Sequence, residues 1–283
     1  MVQRTRLLFT LLAIGVLLVS CGDDPLPPEE DVAEGPRDLP SLLAAPPPEL
    51  AELAAQVRNN PDDPDSIRQY ARRLYSSGAR EDALLFFERV VEIDADTEGL
   101  TDLGLAYGSL GRLDEAEQAY RRALVDVPDN PVLLHNLGNI AYQRGNYPLA
   151  SQFYNQAISH RPGYLMAWFH LGDAFRMGER YREAYRCYER VLELDPQDEK
   201  ELAAVDDALY RLGALDLQMG ATDRALTFLA ELVELNPEHP KGHYALGQAL
   251  MQVGRVEEAE EHLRIHQELQ AARPYTSPAA MEE

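Results

Sequence analysis

The sequence predicts an all-α protein in which a pair of helices repeats along the chain. Three observations predict this fold class. Leu134, Leu137 and Ala141 fall at i, i+3 and i+7, which is the spacing of one helical face. That helix is broken at Gly145, and a second apolar stripe begins at Ala150. Finally, an alanine equivalent to Ala150 recurs through most of the chain, so one helical pair is the template for the rest.

The repeat has a period of 34 residues. The recurring alanines are separated by 33, 34, 34, 41 and 34 residues. They are Ala83, Ala116, Ala150, Ala184, Ala225 and Ala259. A large residue followed by glycine or alanine stands twelve residues before each of them, as Leu137-Gly138 does before Ala150. A single pair of helices cannot bury both apolar stripes, so the pairs are expected to stack on one another.

This pattern resembles the tetratricopeptide repeat, whose signature combines Leu-Gly, two aromatic residues, two alanines and a closing proline at fixed positions. The fourth copy carries the signature in Trp168, Leu171-Gly172, Phe175, Ala184, Tyr188 and Pro196. The resemblance implies a right-handed α-solenoid of about 13 helices. Asp216 departs from the pattern, because it occupies a position at which the family has a core aromatic residue.

The chain order follows from this repeat. A repeat domain is expected at 64–273, with a capping helix before it and a disordered tail at 274–283. Its six copies are 64–96, 97–130, 131–164, 165–198, 206–239 and 240–273. The spacing of 41 exceeds the period by seven residues, about two helical turns. Because Glu199–Val205 contains no helix breaker, these residues are expected to lengthen the first helix of the fifth copy.

The first residues predict a lipoprotein. Arg4 and Arg6 precede an apolar run that is too short for an ordinary membrane span, so residues 1–20 are typical of a secretory signal. The sequence Leu18-Val19-Ser20-Cys21 resembles the bacterial lipobox. That resemblance implies that Cys21 carries the lipid and acyl chains (palmitate among them) that anchor the protein. It also implies a bacterial envelope location, with Gly22 after the cysteine favouring the outer membrane, facing the periplasm.

The segment between the signal and the repeats is expected to be a tether. Residues 22–48 contain eight prolines and seven acidic side chains. Such a composition buries too little apolar surface to fold, so residues 21–48 are predicted to be lipidated at the first position and disordered beyond it. Residues 49–63 read as a lone helix, with Leu50, Leu53 and Val57 on one side, which would cap the first repeat.

Composition and motifs limit the function. The net charge of -22, from 26 basic and 48 acidic residues, argues against nucleic acid as a partner. No phosphate-binding loop or hydrolase motif is present, and the repeats leave no room for a catalytic domain, so neither an enzyme nor a cofactor is expected. His262, His266 and Glu258 share a helical face, but a closed metal site needs more ligands, so a solvated face is expected. Cys187 is expected to be a small core residue.

The resemblance places ligand contacts on the first helices of the repeats. The residues that it assigns to a partner-binding groove are His135, Asn136, Asn139, Tyr142, Met166, Phe169, His170, Asp173, Arg176, Tyr210, Arg211, Tyr244 and Gln248. Aromatic and methionine side chains grouped on one surface often mark a groove. The alternative is that they only pack against the next first helix. Asn136 and Asn139 are suited to binding a peptide backbone, because each amide both donates and accepts.

These expectations combine into a membrane-anchored scaffold that holds an envelope protein in its groove. The layout resembles the pilot lipoproteins that assist type IV pilus secretins. It also resembles repeat lipoproteins that act as adaptors for peptidoglycan hydrolases. A lipoprotein that binds a small molecule or glycan is the alternative from a different class, and self-association stays open.

Overall fold

The structure is a computed structural model that describes residues 38–272, which form fourteen α-helices and one short 3-10 turn. The predicted signal sequence, Cys21 and the tail 274–283 lie outside the described residues. The helices are α1 Leu39–Ala44, α2 Ala51–Asn59, α3 Pro64–Ser76, α4 Arg80–Ile93, α5 Thr97–Ser109, α6 Leu113–Asp126, α7 Pro131–Gln143, α8 Tyr147–His160, α9 Leu165–Met177, α10 Tyr181–Leu192, α11 Glu199–Gln218, α12 Thr222–Leu235, α13 Pro240–Gln252 and α14 Val256–Ala272.

The helices from α3 to α14 form six consecutive pairs, and the contacts between them are local along the chain. Each first helix packs most extensively on the second helix of its own pair, and each second helix packs on the first helix of the next. The buried side chains accordingly form five clusters in chain order, from α2–α6 to α11–α14. This arrangement is the α-solenoid expected from the repeat.

Local sequence signals begin and end these helices. The side chains of Asp63, Asp96, Asn130 and Asp198 accept hydrogen bonds from the first-turn amides of α3, α5, α7 and α11. The tight turn inside five of the six pairs contains a glycine with positive φ. These glycines are Gly78, Gly111, Gly145, Gly220 and Gly254. A side chain would be strained in that conformation, so glycine is the preferred residue there.

Glycines also set the close approach of the two helices within a pair. A Cβ atom added to Gly138 or Gly172 would lie 2.5 or 2.6 Å from the ring of Tyr154 or Tyr188. Gly213 makes the equivalent contact with the side chain of Leu229 in the fifth repeat. The fifth repeat therefore keeps the register of the others.

Asp216 takes the place of a core aromatic residue through a polar link. Its side chain is fully buried, and its carboxylate accepts hydrogen bonds from Arg224 Nη2 at 2.6 Å and from Tyr185 Oη at 3.1 Å. Buried charge is tolerated when it is paired and hydrogen-bonded in this way. The departure in the sequence thus ties α11 to both α10 and α12.

The first helix of the fifth repeat is longer than the others, and the expectation of a lengthened helix is confirmed. It has 20 residues, whereas the other five first helices have 13. Asp198 caps its start, and Ala204 in the added segment is buried beside Val191 in one hydrophobic cluster.

The expectation of a disordered tether through residue 48 is wrong at its end. Leu39–Ala44 forms α1, which begins with reciprocal hydrogen bonds between Asp38 and Ser41. Leu39, Leu42 and Leu43 pack against the first hydrophobic cluster. The prediction relied on the proline and acid content of the whole segment and overlooked these three closely spaced leucines. They bury enough surface to hold a short helix.

One junction in the stack is thinner than the rest. Fewer residues of α6 approach α7 than at any other junction between consecutive repeats from α3 to α14. Two ion pairs span this junction, from Arg144 after α7 to Asp114 and Glu117 of α6.

No helix among residues 38–272 is long and apolar enough to span a membrane.

Candidate binding groove

Two neighbouring cavities lie along the first helices of the third, fourth and fifth repeats, and together they are termed the central groove. The first cavity, of about 380 Å³, lies between α7 and α9 and is lined by Asn139, Tyr142, Gln143, Tyr154, His170 and Asp173. The second, of about 420 Å³, lies between α9 and α11, and its lining includes Arg176, Met177, Glu179, Tyr181, Tyr210, Arg211 and Gln218. Neither cavity is enclosed, so an extended ligand can lie across both.

The polar wall of the first cavity is fixed by tyrosines of the second helices. Tyr154 Oη donates to Asn139 Oδ1 at 2.8 Å, and Tyr188 Oη donates to Asp173 Oδ1 at 2.7 Å. Both tyrosine rings are buried, and burial raises the pKa of each phenol, so both remain neutral donors. Asn139 and Asp173 are thereby held in fixed orientations.

A histidine pair lies beneath the first cavity. His135 Nε2 lies 2.8 Å from His170 Nδ1, and the two rings are stacked 5.0 Å apart. Burial lowers the pKa of His135 to about 3, with a further contribution from the neighbouring His170. Burial also lowers the pKa of His170. Both rings are therefore neutral at pH 7, and one ring donates to the other.

Two guanidinium groups of the second cavity lie near one buried carboxylate. Arg176 Nε donates to Asp173 Oδ1 at 3.2 Å, and Arg211 Nε lies 3.3 Å from the same oxygen. The Asp173 carboxylate thus lies beside two guanidinium groups. Arg211 Nε is buried without a hydrogen-bond partner among the described residues. Such an atom is costly to leave unpaired, so a ligand that supplied an acceptor would stabilise this wall.

The rim of the second cavity contains the one non-glycine residue with positive φ among residues 38–272. Glu179 has a φ of 59° and lies in the turn between α9 and α10, where the other five repeats have glycine. A left-handed conformation costs a residue with a side chain about 1 kcal/mol. The strained residue of the described chain therefore lies at the rim of the central groove.

Comparison with family models identifies the repeat. A tetratricopeptide repeat model matches residues 71–131, 101–164 and 135–199, and a second model of the same repeat matches residues 216–274. The chain belongs to the tetratricopeptide repeat family. The two models leave out the residues before 71, which include α1 and α2.

The curated relatives share the repeats over part of their length. The chain is 25% identical over 176 residues to human protein O-mannosyl-transferase TMTC1, covering 62% of this chain and 20% of that protein. It is 23% identical over 202 residues to the repeat-containing protein YpiA of Bacillus subtilis (strain 168), covering 70% of this chain and 46% of that protein. The chain therefore spans between a fifth and about half the length of these relatives.

Solved structures of other tetratricopeptide proteins have the same fold. The pilF protein of Pseudomonas aeruginosa superposes with a TM-score of 0.61 at 17% identity, covering 74% of this chain and 97% of that one. YrrB, a tetratricopeptide protein with an unusual peptide-binding site, has a TM-score of 0.51 at 22% identity and covers 68% of this chain and 96% of its own. At these identities the likeness shows the fold alone.

The central groove contains seven of the thirteen residues that the tetratricopeptide resemblance assigned to it. They are Asn139, Tyr142, His170, Asp173, Arg176, Tyr210 and Arg211. All seven come from α7, α9 and α11, so the third, fourth and fifth repeats contribute the surface. The other six predicted residues do not line either cavity.

Three predicted groove residues are buried instead. Phe169 is 7% exposed and packs against Tyr188, in the hydrophobic cluster between the fourth and fifth repeats. His135 and Asn136 are 7% and 9% exposed. The prediction that these side chains face a ligand is wrong, because each is almost fully covered in the folded chain. Phe169 packs with residues of α11 and His135 stacks on His170 of α9, as the packing alternative expects.

The remaining three predicted residues lie elsewhere on the surface. Met166 is half-buried against the same hydrophobic cluster as Phe169. Tyr244 and Gln248 are exposed on α13 and bond to each other, with Gln248 Nε2 donating to Tyr244 Oη at 2.9 Å. They belong to the sixth repeat and lie outside both cavities.

Sequence reasoning missed Tyr154, Tyr181 and Gln218 as groove residues. A signal for Tyr154 was present, because a core position that accepts phenylalanine has tyrosine here. A buried hydroxyl needs a hydrogen-bond partner, and the partner is Asn139, the polar residue directly after Gly138 in the first helix. Tyr181 gave no such signal, because it lies outside the positions used by the resemblance.

The sequence predicted that the histidines of the sixth repeat lie on a solvated face. The structure instead places them in contacts between helices. His262 Nδ1 lies 3.0 Å from His243 Nδ1, and His266 Nδ1 lies 2.8 Å from the carbonyl oxygen of Pro240. They link α14 to α13. No group of three or more possible metal ligands occurs in the described part of the chain.

Burial raises the pKa of Cys187 to about 12, so its thiol stays protonated in the core.

Proposed function

We propose that the protein is a membrane-anchored scaffold of a bacterial envelope and that the central groove holds an extended segment of a partner protein. The observation that supports this proposal most directly is the pair of open, adjacent cavities with pre-oriented polar walls. Fixed amide, carboxylate and guanidinium groups spaced along a groove suit the alternating donors and acceptors of a peptide backbone. A binding protein, and not an enzyme, is the role that these groups support.

The exposed surfaces of Tyr142 and Tyr210 would supply apolar contacts for the segment. Both tyrosines line the groove and are half-buried, one in each cavity. Tyrosine combines a large apolar ring with a hydroxyl and loses little conformational entropy on binding. The unpaired Nε of Arg211 favours a segment that offers a hydrogen-bond acceptor near the second cavity.

A capture experiment tests the groove. The full chain is crosslinked in its native cells, and wild type is compared with Tyr142→Ala/Tyr210→Ala and with the control Tyr244→Ala/Gln248→Ala. We expect an envelope protein to be recovered with wild type and with the control but lost with the groove variant. Recovery of the same protein with all three chains would contradict the groove. Recovery of only a small molecule or glycan would replace the peptide proposal with the alternative.

The anchor is a separate part of the proposal and has its own test. Cys21 is proposed to carry the lipid that holds the scaffold at the membrane, at the periplasmic face of the outer membrane. Metabolic labelling with a clickable palmitate analogue should label the wild-type chain, and Cys21→Ala should remove the label and release the protein from the membrane fraction. Equal labelling of both chains would contradict lipidation at Cys21.

The pathway follows from the identity of the partner. The resemblance to pilot lipoproteins and the shared fold with pilF favour assembly of a type IV pilus secretin as the process. A peptidoglycan hydrolase is the other expected partner. The capture experiment distinguishes them, because a secretin and a hydrolase differ in mass and in sequence.

A further inference from the structure

A second cleft lies on the second helices of the fourth and fifth repeats. This arginine cleft has a volume of about 320 Å³ and is lined by Tyr181, Arg182, Tyr185 and Arg186 of α10, Met219 after α11 and Arg224 of α12. Tyr181 is the one residue that it shares with the central groove. The other residues of the cleft do not line either of the groove's cavities.

Two of its arginines have no partner. Arg182 and Arg186 are exposed, four residues apart on one face of α10, and neither makes an ion pair or hydrogen bond with any residue from 38 to 272. Like charges at this spacing destabilise a helix. Other arginines of this region are paired, as Arg180 is with Glu183 and Arg190 with Glu193.

The cleft is basic although the chain as a whole is acidic. The protein has 48 acidic and 26 basic residues. Acidic side chains are thus plentiful, yet one carboxylate, Glu189, lines the cleft surface beside these arginines. Three arginines and one carboxylate thus line the cleft, so positive side chains outnumber negative ones on its surface.

A buried carboxylate organises the floor of the cleft. Asp216 is fully buried and accepts hydrogen bonds from Arg224 and from the hydroxyl of Tyr185. The guanidinium carbon of Arg224 lies 5.5 Å from the centre of the Tyr185 ring. These contacts fix a third arginine and an aromatic ring at the floor before any ligand arrives, which lowers the entropic cost of binding.

Apolar surface completes the cleft. The side chains of Met219 and Tyr181 are 54% and 38% exposed, respectively, at its edges. A ligand that filled the cleft would therefore meet both guanidinium groups and apolar surface. A carboxylate-rich segment that also contains a large apolar side chain matches both, whereas a purely ionic ligand would leave the apolar edges uncovered.

We propose that the arginine cleft is a second docking surface that binds an acidic segment of a partner protein, with carboxylates on Arg182 and Arg186 and an aromatic or aliphatic side chain against Tyr185 and Met219. Complementary charge argues for this partner, since the cleft is a basic surface on a strongly acidic chain. The proposal does not depend on what the central groove binds. With both surfaces occupied, the protein joins two partners.

An anionic membrane is the competing occupant, and the geometry favours it less. A bilayer surface is broad and flat, whereas these arginines border a cleft between helices that takes a narrow ligand. The net charge of -22 would also oppose the approach of the whole chain to an anionic bilayer. Vesicles are nevertheless included as a probe, because binding to them would identify the other occupant.

The test measures binding of defined probes to the full chain. The probe is a fluorescein-labelled decapeptide of Glu and Asp with a central Phe-Leu pair, followed by fluorescence anisotropy at low and at physiological ionic strength. A second peptide carries Gln and Asn in place of the acids. Vesicles of phosphatidylglycerol, with phosphatidylcholine vesicles for comparison, form the third arm.

Two charge-reversal variants provide the comparison. Arg182→Glu/Arg186→Glu removes the cleft arginines, whereas Arg73→Glu/Arg122→Glu reverses two exposed arginines that have no partner within residues 38–272. Either variant changes the net charge from -22 to -26, because each reversal subtracts two charges. Circular dichroism checks that both fold, and Arg182→Gln/Arg186→Gln is used if the reversal does not.

We expect the acidic peptide to bind wild type and the control alike and to bind the cleft variant at least about tenfold more weakly, because charge-assisted contacts are lost. The neutral peptide should bind all chains weakly. Three results would overturn the proposal: no binding of the acidic peptide to wild type, equal weakening in both reversal variants, or cleft-dependent binding of phosphatidylglycerol vesicles without the peptide. A Tyr142→Ala/Tyr210→Ala chain should retain the peptide, which separates this surface from the central groove.

Discussion

Single hydroxyl groups link the core of this protein to its surface. Tyr154 and Tyr188 lie in the core, yet each hydroxyl reaches a polar side chain of the central groove. The same residue therefore contributes to packing and orients a group that a ligand would meet. Replacing either tyrosine with phenylalanine would keep the packing and release Asn139 or Asp173, so such variants separate the two contributions.

The sequence predicted only some of the polar groups that lie in the central groove. The repeat register predicted Asn139, Asp173 and Arg211 for the groove, and all three line the two cavities, because side chains of one helical face recur at fixed spacing. It also placed Phe169 on the surface, where the structure buries it. Burial at that position depends on how closely α9 and α11 approach, which is a tertiary property that no single repeat encodes.

The buried His135 makes stability depend on pH. Its pKa is about 3 in the folded chain and near 6.5 when exposed, so the unfolded chain binds more protons between these values and stability falls as pH decreases below 6.5. We expect His135→Gln to reduce the loss of unfolding free energy between pH 7 and pH 5 by about 2 kcal/mol. Urea denaturation followed by circular dichroism measures this loss.

His160→Gln is the matched control for that experiment, because His160 is exposed and lies near Asp129 on the surface. This variant shows how far the loss of an exposed histidine changes the pH dependence, and His135→Gln should change it more. An unchanged pH dependence in His135→Gln would contradict the assigned protonation state of the histidine pair.

Helix pairs in this fold depend on the absence of a side chain at their crossing point. Gly172→Ala would bring a methyl group to 2.6 Å from the ring of Tyr188, which is fully buried and cannot move aside. We expect this variant to lose about 1–3 kcal/mol of stability through overpacking. Gly108→Ala meets only Ala116, at 3.9 Å, and should gain about 0.5–1 kcal/mol from helix propensity.

Thermal or urea unfolding of the two variants provides the measurement. Both changes add one methyl group to a first helix, yet the two variants are expected to change the free energy of unfolding in opposite directions. A stable Gly172→Ala chain would show that α9 and α10 can separate without cost, contrary to the packing described above.

At the scale of helices, the sequence predicted what is periodic and missed what is not. The long α11 was predictable, because a helix without a breaker can be extended by seven residues and keep nearly the same face inward. The short α1 was missed, because its six residues contain only three leucines within a proline-rich segment. Its stability comes from contacts with distant residues of the first repeat.

The whole stack is expected to be least cooperative at the junction between the second and third repeats. Packing between α6 and α7 is thin, and Arg144 bridges it through Asp114 and Glu117. In a solenoid the coupling between neighbours determines whether the chain unfolds in one step. We expect Arg144→Ala to split or broaden the urea transition, and high salt to have the same effect on wild type.

Arg264→Ala removes two ion pairs that lie within α14 and span no junction between repeats, so it serves as the control. Its transition should keep the width of the wild-type transition. A narrow, single transition in Arg144→Ala would mean that apolar contacts alone couple the two halves.

The two additional turns of α11 have a consequence for how any extended partner is positioned. A stack of equal repeats is nearly symmetric under translation by one repeat, so a periodic ligand could shift to several equivalent frames. Seven added residues extend one first helix by about 10 Å beyond its neighbours and break that symmetry. The fifth repeat thereby marks one position along the stack, so a segment bound along the central groove, as proposed above, would meet one first helix that differs from all the others.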